Sequence, residues 1–395
     1  MVLLLLVLVS LSFSELLDLS TEENEGAFGI KDMHGWFCFV GRRSSEENGY
    51  DALLGVCDGT CKAYSVGSAR DDYSYSVEST GNLCLAGVTT LAKGDMDFLL
   101  VTFGREGVEE TVSMGGEGND MLWFLRRVEG GYLLVGGVQD EDWDILVVKL
   151  NDGLLPVWVR RLGTEFEEYA YGVVEWRGKY YVVGRSNYRG NWDAFVLELS
   201  PRGRLLSSKL IGSGSKDYLR YVGLFRGEPL AVGRSETNGD SDVLLFSPRS
   251  GLCRLYDGGE FDYGRVFSED RGRLLLMGDT YGRTHSDGLL LVLDGEFEVV
   301  KAYSIGGEDV ESVRYLDGRL FAGYTYSFTL DNDVLLGRVG DSCASLVREV
   351  PFRRREGRLE FYRYPLEERD YAFRLLDLGV EVRSIRLKEM EPCQE

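Results

Sequence analysis

Histidine is nearly absent from this chain of 395 residues: only His34 and His285 occur. Two imidazoles leave little room for His-based acid–base or triad chemistry, and neither sits near a cysteine pair as a zinc site would need. Proline is scarce, at 7 residues against 50 glycines, which points to tight turns between strands and not to Pro-rich linkers. Glutamine occurs twice and lysine nine times, so 35 of the 44 basic residues are arginine. Few amides and many ion-pairing side chains resemble a thermophile's protein. No apolar run reaches the ~20 residues of a membrane-spanning helix. No G-x-S-x-G elbow, P-loop, H-E-x-x-H or sialidase-type Asp-box is present, and no catalytic residue is assigned.

What the chain does have is acid and core. Hydrophobic residues make up 44% and aromatics 12%, enough for a large packed interior. The net charge is −21, a sign that repels phosphate backbones and excludes nucleic acid as the expected partner. The excess lies in residues 1–350, because 351–395 hold ten acids and ten bases. Cysteine numbers seven, an odd count. Cys57 and Cys61 flank Asp58-Gly59-Thr60, so they make either a cross-strand disulfide or two free thiols. Residues 1–14 are almost wholly apolar. They read as a secretory signal without its positive n-region, or alternatively as a buried strand.

One phrase recurs seven times: an apolar run ending in Gly, a polar loop, an Asp, and another apolar run. The glycines are Gly41, Gly87, Gly136, Gly184, Gly233, Gly278 and Gly323, at spacings of 46, 49, 48, 49, 45 and 45. The matching acids are Asp51, Asp97, Asp144, Asp193, Asp242, Asp287 and Asp333. Each period holds four strand-length segments, in the fourth copy about 170–176, 179–185, 193–199 and 204–211, and none shows a helical period. Four strands per ~45 residues predict an all-β fold: a seven-bladed propeller of four-stranded antiparallel blades over 15–350.

The stretch Tyr181-Val-Val-Gly-Arg-Ser-Asn-Tyr-Arg-Gly-Asn-Trp-Asp-Ala-Phe-Val-Leu-Glu-Leu-Ser-Pro-Arg-Gly203 resembles the β-propeller repeat abbreviated SBBP. Gly212-Ser-Gly-Ser-Lys-Asp217-Tyr is similar to its Gly-rich loop. The resemblance covers about residues 14–350. It implies the fold and carries no shared catalytic residues.

A ring must close or leave open sheet edges. Residues 14–19 align with an outer strand and are expected to complete the last blade. Residues 351–395 fall about one strand short of a repeat. They are read as a short C-terminal β extension or cap, with a degenerate eighth blade as the alternative. Arg353-Arg354-Arg355 within them would face an anionic partner, sit in a solvated turn, or neutralise the acidic ring.

A second acidic set opens the first strands: Glu25, Asp72, Asp120, Glu168, Asp217, Asp262 and Asp309. In the usual blade order both acidic sets emerge on one face. They would make a cationic-ligand mouth, or else fix turns through hydrogen bonds to backbone N–H groups. Asp240, Asp242, Asp331 and Asp333 are dense enough to be calcium candidates. Arg42, Arg185 and Arg234 follow repeat glycines and are expected to neutralise some acids. Trp143 and Trp192 precede Asp144 and Asp193, where they would stack on a sugar or an aromatic partner, or pack between blades. The leading expectation is an exported or cell-surface, non-enzymatic propeller that binds a protein or glycan through one face; cytoplasmic residence is the alternative. A carbohydrate-active hydrolase or lyase using face carboxylates, and a surface-layer or filament subunit, are the other two readings.

Overall fold

A computed structural model gives the architecture. It describes residues 12–390, apart from short stretches in loops (21–22, 46–48, 69, 92–93, 238, 260, 282–284, 328–331) and in the C-terminal segment (341–346, 350–352, 356–359, 364, 370–373, 377–380, 386–387). The apolar run at the N-terminus, expected to be a signal or a strand, therefore lies mostly outside the described residues.

Seven antiparallel sheets form a ring, with no helix among the described residues. Blades one to six each use four consecutive strands, over 25–67, 72–115, 119–163, 168–212, 217–257 and 262–305. In blade four the strands are Glu168–Trp176, Lys179–Ser186, Asp193–Leu199 and Leu205–Gly212, within two residues of the expected bounds. Blade seven takes three strands from 311–340, and Ser12–Ser20 is its fourth, pairing antiparallel with Asp333–Gly340. The ring thus closes by its N-terminal strand, as the sequence alignment implied.

Sheets stacked face to face bury both sides of their middle strands, so these read as continuous apolar runs and not as alternating ones. Asp97–Gly104 is buried at every position, and so are Leu274–Met277 and Leu289–Leu293. Truncating one such leucine, for example Leu291→Ala, costs ~2–5 kcal/mol.

The repeat glycine has a steric reason. A Cβ on Gly41, Gly136, Gly233 or Gly278 would lie 1.8 Å from the carbonyl oxygen of Gly26, Met121, Tyr218 or Tyr263 on the adjacent first strand. That carbonyl is pushed forward by a β-bulge in the first strand, so only glycine fits opposite it.

The C-terminal segment is the expected β extension and not an eighth blade. It is a belt that runs backwards around the ring and adds one short antiparallel strand to the outer edge of every blade. Val347–Glu349 pairs with blade six, Arg353–Arg355 with five, Glu360–Arg363 with four and Glu367–Arg369 with three. Arg374–Leu376 then pairs with blade two, Glu381–Ile385 with one, and Lys388–Met390 with Ser12–Ser20 of blade seven. The last six belt strands begin every seven residues. The arginine run is the belt strand of blade five, and Arg354 pairs with Glu298 of blade six.

Two disulfides staple the first two blades. Cys57–Cys61 closes the hairpin of blade one, resolving that open choice in favour of the disulfide. Cys38–Cys84 joins the second strands of blades one and two. Both cysteines occupy the same place in the repeat phrase, 46 residues apart, which is the sequence signal for this bond.

Candidate functional site

Each first strand skips one residue in its pairing with the second: Phe28, Tyr75, Trp123, Tyr171, Arg220, Arg265 and Arg314. A bulge leaves one residue out of the ladder and re-aims its side chain. All seven side chains line one cavity of about 360 Å³ in the central channel. Blades one to four contribute aromatics and blades five to seven contribute arginines, so the ring is divided into an apolar arc and a cationic arc. Tyr326 and Asn332, from the loop between the second and third strands of blade seven, complete the rim with Arg42 and Tyr324.

Beneath lies an aromatic floor. Phe124, Tyr221 and Tyr315 come from blades three, five and seven, and their ring centroids stand 5.8–6.3 Å apart. All three are buried. Below them lies the opposite mouth, a cavity of about 820 Å³ lined in part by an ion network: Lys31 reaches Glu78 at 3.3 Å and Asp317 at 3.6 Å, and Arg126 reaches Glu78 at 3.5 Å. Arg126 also donates to the Tyr221 hydroxyl at 3.1 Å. The channel thus holds two cavities, and the first is a cup floored by Phe124, Tyr221 and Tyr315.

The arginines of the cup differ in pairing. Arg265 Nε meets Asp279 at 2.5 Å. Arg314 donates to the Tyr324 hydroxyl at 2.8 Å, and Arg220 lies over the rings of Tyr171 (4.5 Å) and Trp123 (5.1 Å). Arg42 lies over Tyr50 at 4.4 Å. Among the described residues no carboxylate stands within ion-pair distance of Arg42, Arg220 or Arg314. Burial, and then the charge of neighbouring Arg265, push the Arg314 guanidinium below its ordinary value. An anion in the cup would offset both costs. Three buried polar atoms of the lining have no hydrogen-bond partner within the protein: Arg314 Nε and Trp123 Nε1, both donors, and Asn332 Oδ1, an acceptor. Such atoms cost free energy unless something in the cup meets them. Among the described residues, none that lines the cup is an Asp or Glu.

The aromatic arc continues outward. Phe28, Tyr75 and Trp123 follow at centroid steps of 5.4 and 4.8 Å, and Trp123 meets Tyr171 edge-on at 5.6 Å. Tyr171 stacks on Tyr169, which is flanked by Trp143 at 5.6 Å and Trp192 at 5.7 Å. The two tryptophans singled out from the sequence are thus the half-buried outer end of the arc, packed across blades three and four.

The fourteen acids do not form the mouth. Glu25, Asp72, Asp120, Glu168, Asp217 and Asp262 are fully buried. Asp72, Asp120, Asp217 and Asp262 each accept the backbone N–H four residues earlier at 2.7 Å, and Glu168 accepts that of Thr164 at 3.0 Å. Glu25 instead meets Arg43 at 3.2 Å. Asp309 is exposed, and in blade seven the equivalent place belongs to buried Glu311, which accepts the Gly307 N–H at 3.0 Å. Burial outweighs these hydrogen bonds and pushes Asp72 and Asp262 up to about 6 and Glu168 to about 7. The third-strand acids press Oδ1 on a glycine that ends or follows the fourth strand. A Cβ at Gly67, Gly115, Gly163, Gly212 or Gly306 would meet the oxygen of Asp51, Asp97, Asp144, Asp193 or Asp287 at 1.4–2.2 Å. They are blade-fixing groups, and the expected cationic-ligand mouth has the opposite sign: it is lined by arginine.

Arg185, expected to neutralise acids, is instead stacked over Trp192 (4.3 Å) and Tyr218 (4.8 Å). Arg234 lies over Tyr218 at 4.5 Å and also reaches Glu236 at 3.5 Å. Of the calcium candidates, Asp240 and Asp242 do come together, joined by Asp257 within 4.8 Å. Asp257 stands where other blades carry the fourth-strand glycine. Asp333 is buried at the start of its strand, and Asp331 lies outside the described residues. The channel ring escapes a sequence reading centred on the acids; its signal is the residue three places after each first-strand acid.

No family model matches the chain. A relative from Aquifex aeolicus (strain VF5), named only as an uncharacterized protein, is 39% identical over 320 residues, spanning 81% of this chain and 89% of the relative. Among solved structures, Chaetomium thermophilum Sqt1 is 10% identical with a TM-score of 0.50, over 81% of this chain and 97% of that one. A subtype N10 neuraminidase-like protein of A/little yellow-shouldered bat/Guatemala/060/2010 is 10% identical with a TM-score of 0.41, over 84% and 100%. At that identity the likeness to Sqt1 speaks to fold alone.

Proposed function

This chain belongs to the family of the Aquifex aeolicus protein, and for that family's propeller we propose a binding function: the cup holds an acidic group of a protein or glycan partner, without turnover. The observation that carries the proposal is the bulged ring, in which Arg220 and Arg314 face a half-enclosed cavity with no carboxylate among the described residues to pair them. Guanidinium groups held in a low-dielectric cavity favour carboxylate, sulfate or phosphate ligands. Aromatic walls supply contact area at low entropic cost. Carboxylate-pair hydrolysis finds less support, since most of the acids it would use are buried in turns and, among the described residues, none lines the cup.

Export belongs to the same proposal. Two disulfides favour an oxidising compartment, and the apolar start of the chain is compatible with a secretory signal. Membership of the SBBP repeat type is likewise proposed, on the phrase around residues 181–203. Among the described residues no helix is long and apolar enough to cross a membrane.

The test is a binding panel of acidic peptides, acidic glycans and their neutral counterparts, read with the full chain and with an Arg220→Ala/Arg314→Ala double variant. Acidic members are expected to bind, and the double variant to lose them. Binding that survives the double variant, or binding by neutral members alone, overturns the proposal.

A further inference from the structure

Several chemical classes of acidic ligand could enter an anion-binding cup. The lining narrows them, on the premise that the cup does bind an acidic group. It presents three kinds of group at once. Arg220 and Arg314 of the cationic arc call for an anion, while Arg265 is already paired with Asp279. The arc of Phe28, Tyr75, Trp123 and Tyr171 calls for an apolar or C–H-bearing face of ring size. Asn332, 5% exposed, holds an acceptor oxygen that calls for a hydroxyl or N–H donor, while Trp123 Nε1 calls for an acceptor.

Candidate ligands satisfy these demands unequally. An inorganic anion uses the arginines and leaves the aromatic arc and the Asn332 oxygen unmet. An acidic side chain of a peptide does little better, since its carboxylate sits on a short aliphatic stem without hydroxyls. An aromatic acid meets both arcs but lacks donors for Asn332. A sugar residue carrying a carboxylate meets all three: its C–H face stacks on the rings, its carboxylate meets guanidinium groups, and its hydroxyls both donate and accept. The arc also leaves the cup in one direction, through Tyr169 toward Trp143 and Trp192, where Arg185, over Trp192 at 4.3 Å and Tyr169 at 5.0 Å, adds a cation beside the path of neighbouring acidic residues.

We propose that the cup is a subsite for one carboxylate-bearing sugar residue of an acidic polysaccharide, whose next residues run outward over Tyr169, Trp143 and Trp192. The carboxylate lies on the side of Arg220 and Arg314 and the ring on the side of Trp123 and Tyr171. Net repulsion between the −21 protein and a polyanion makes the local arginine arc decisive, so binding is sensitive to its loss.

The experiment is calorimetric titration of the full chain with galacturonic acid oligomers of one to four residues, their methyl esters, and a poly-glutamate peptide. Saturable binding of the tetramer is expected, with the methyl ester weaker by about tenfold or more, the change expected when a charge-assisted contact is lost. Arg220→Ala and Arg314→Ala should each weaken the tetramer by a similar factor, with Arg220→Lys in between, because a point charge replaces a planar fork. Trp192→Ala should weaken the tetramer and leave the monomer unchanged. Thermal melts of the variants show that they are folded. Equal binding of acid and ester overturns the sugar-acid assignment. So does poly-glutamate binding as tightly as the tetramer and lost in the same arginine variants, although the anion-binding cup then stands. Absence of binding by every acidic probe overturns both.

Discussion

A single residue shows how closely the repeat is bound to the cup. The bulge that turns Arg220 into the channel also thrusts the Tyr218 carbonyl against Gly233, where a Cβ would stand 1.8 Å away. Gly233→Ala should therefore cost ~1–3 kcal/mol in a denaturant melt, the usual penalty of overpacking. Gly214→Ala, where a Cβ meets nothing within 4 Å, should stay within ~0.5 kcal/mol of the parent. The buried acids give a second check at this scale. Asp72, Asp193 and Asp262 are raised to about 6 and Glu168 to about 7, with burial the leading cause in each. A carboxyl whose folded value lies above its unfolded value takes up protons on folding. Its stabilising contribution is complete below the unfolded value, near 4, and is lost as pH rises through 6 to 7. The melting temperature is thus predicted to fall between pH 5 and pH 8, and Asp262→Asn with Glu168→Gln to flatten that slope. A slope unchanged in the double variant would mean that general charge repulsion causes it. Sequence could name these acids, since they recur, but not choose their role. Burial and the turn N–H groups decide that, and neither is visible in a residue type.

At the scale of elements, blades were legible and the belt was not. A blade strand advertises itself through apolar runs and a glycine, because it is buried on both sides and pressed by a bulge. A belt strand is three to five residues long and is held by backbone pairing at an outer edge, which imposes no such run. A fainter signal existed: Phe352, Leu359, Leu366, Phe373, Val380 and Leu387 recur every seven residues, in step with the belt strands. Leu366, the member whose side chain is described, packs against the core. Unpaired outer edges are templates for association, so the belt is expected to protect as well as to stabilise. Truncation after residue 346 should lower the melting temperature and produce concentration-dependent species in size-exclusion chromatography; a monomeric truncation with an unchanged melt would refute that role. Loss of residues 1–20 should be costlier still, because Ser12–Ser20 both completes blade seven and carries the last belt strand.

For the whole molecule, the question is how a chain of charge −21 comes to hold an anion. It does so by segregation. The acids are buried in blade-fixing turns or spread over the exterior, while the bulges deliver four aromatics and three arginines to one cup. This division was unreadable from the repeat alone, because the repeat reports what the blades share and the cup is made of what they do not. The most direct measurement is a crystal structure of the full chain grown with trigalacturonate. The account predicts a carboxylate within hydrogen-bond distance of Arg220 or Arg314, with a sugar ring against Trp123 or Tyr171. Ligand density at the opposite mouth, beside Lys31 and Arg126, with the cup left to water would contradict it.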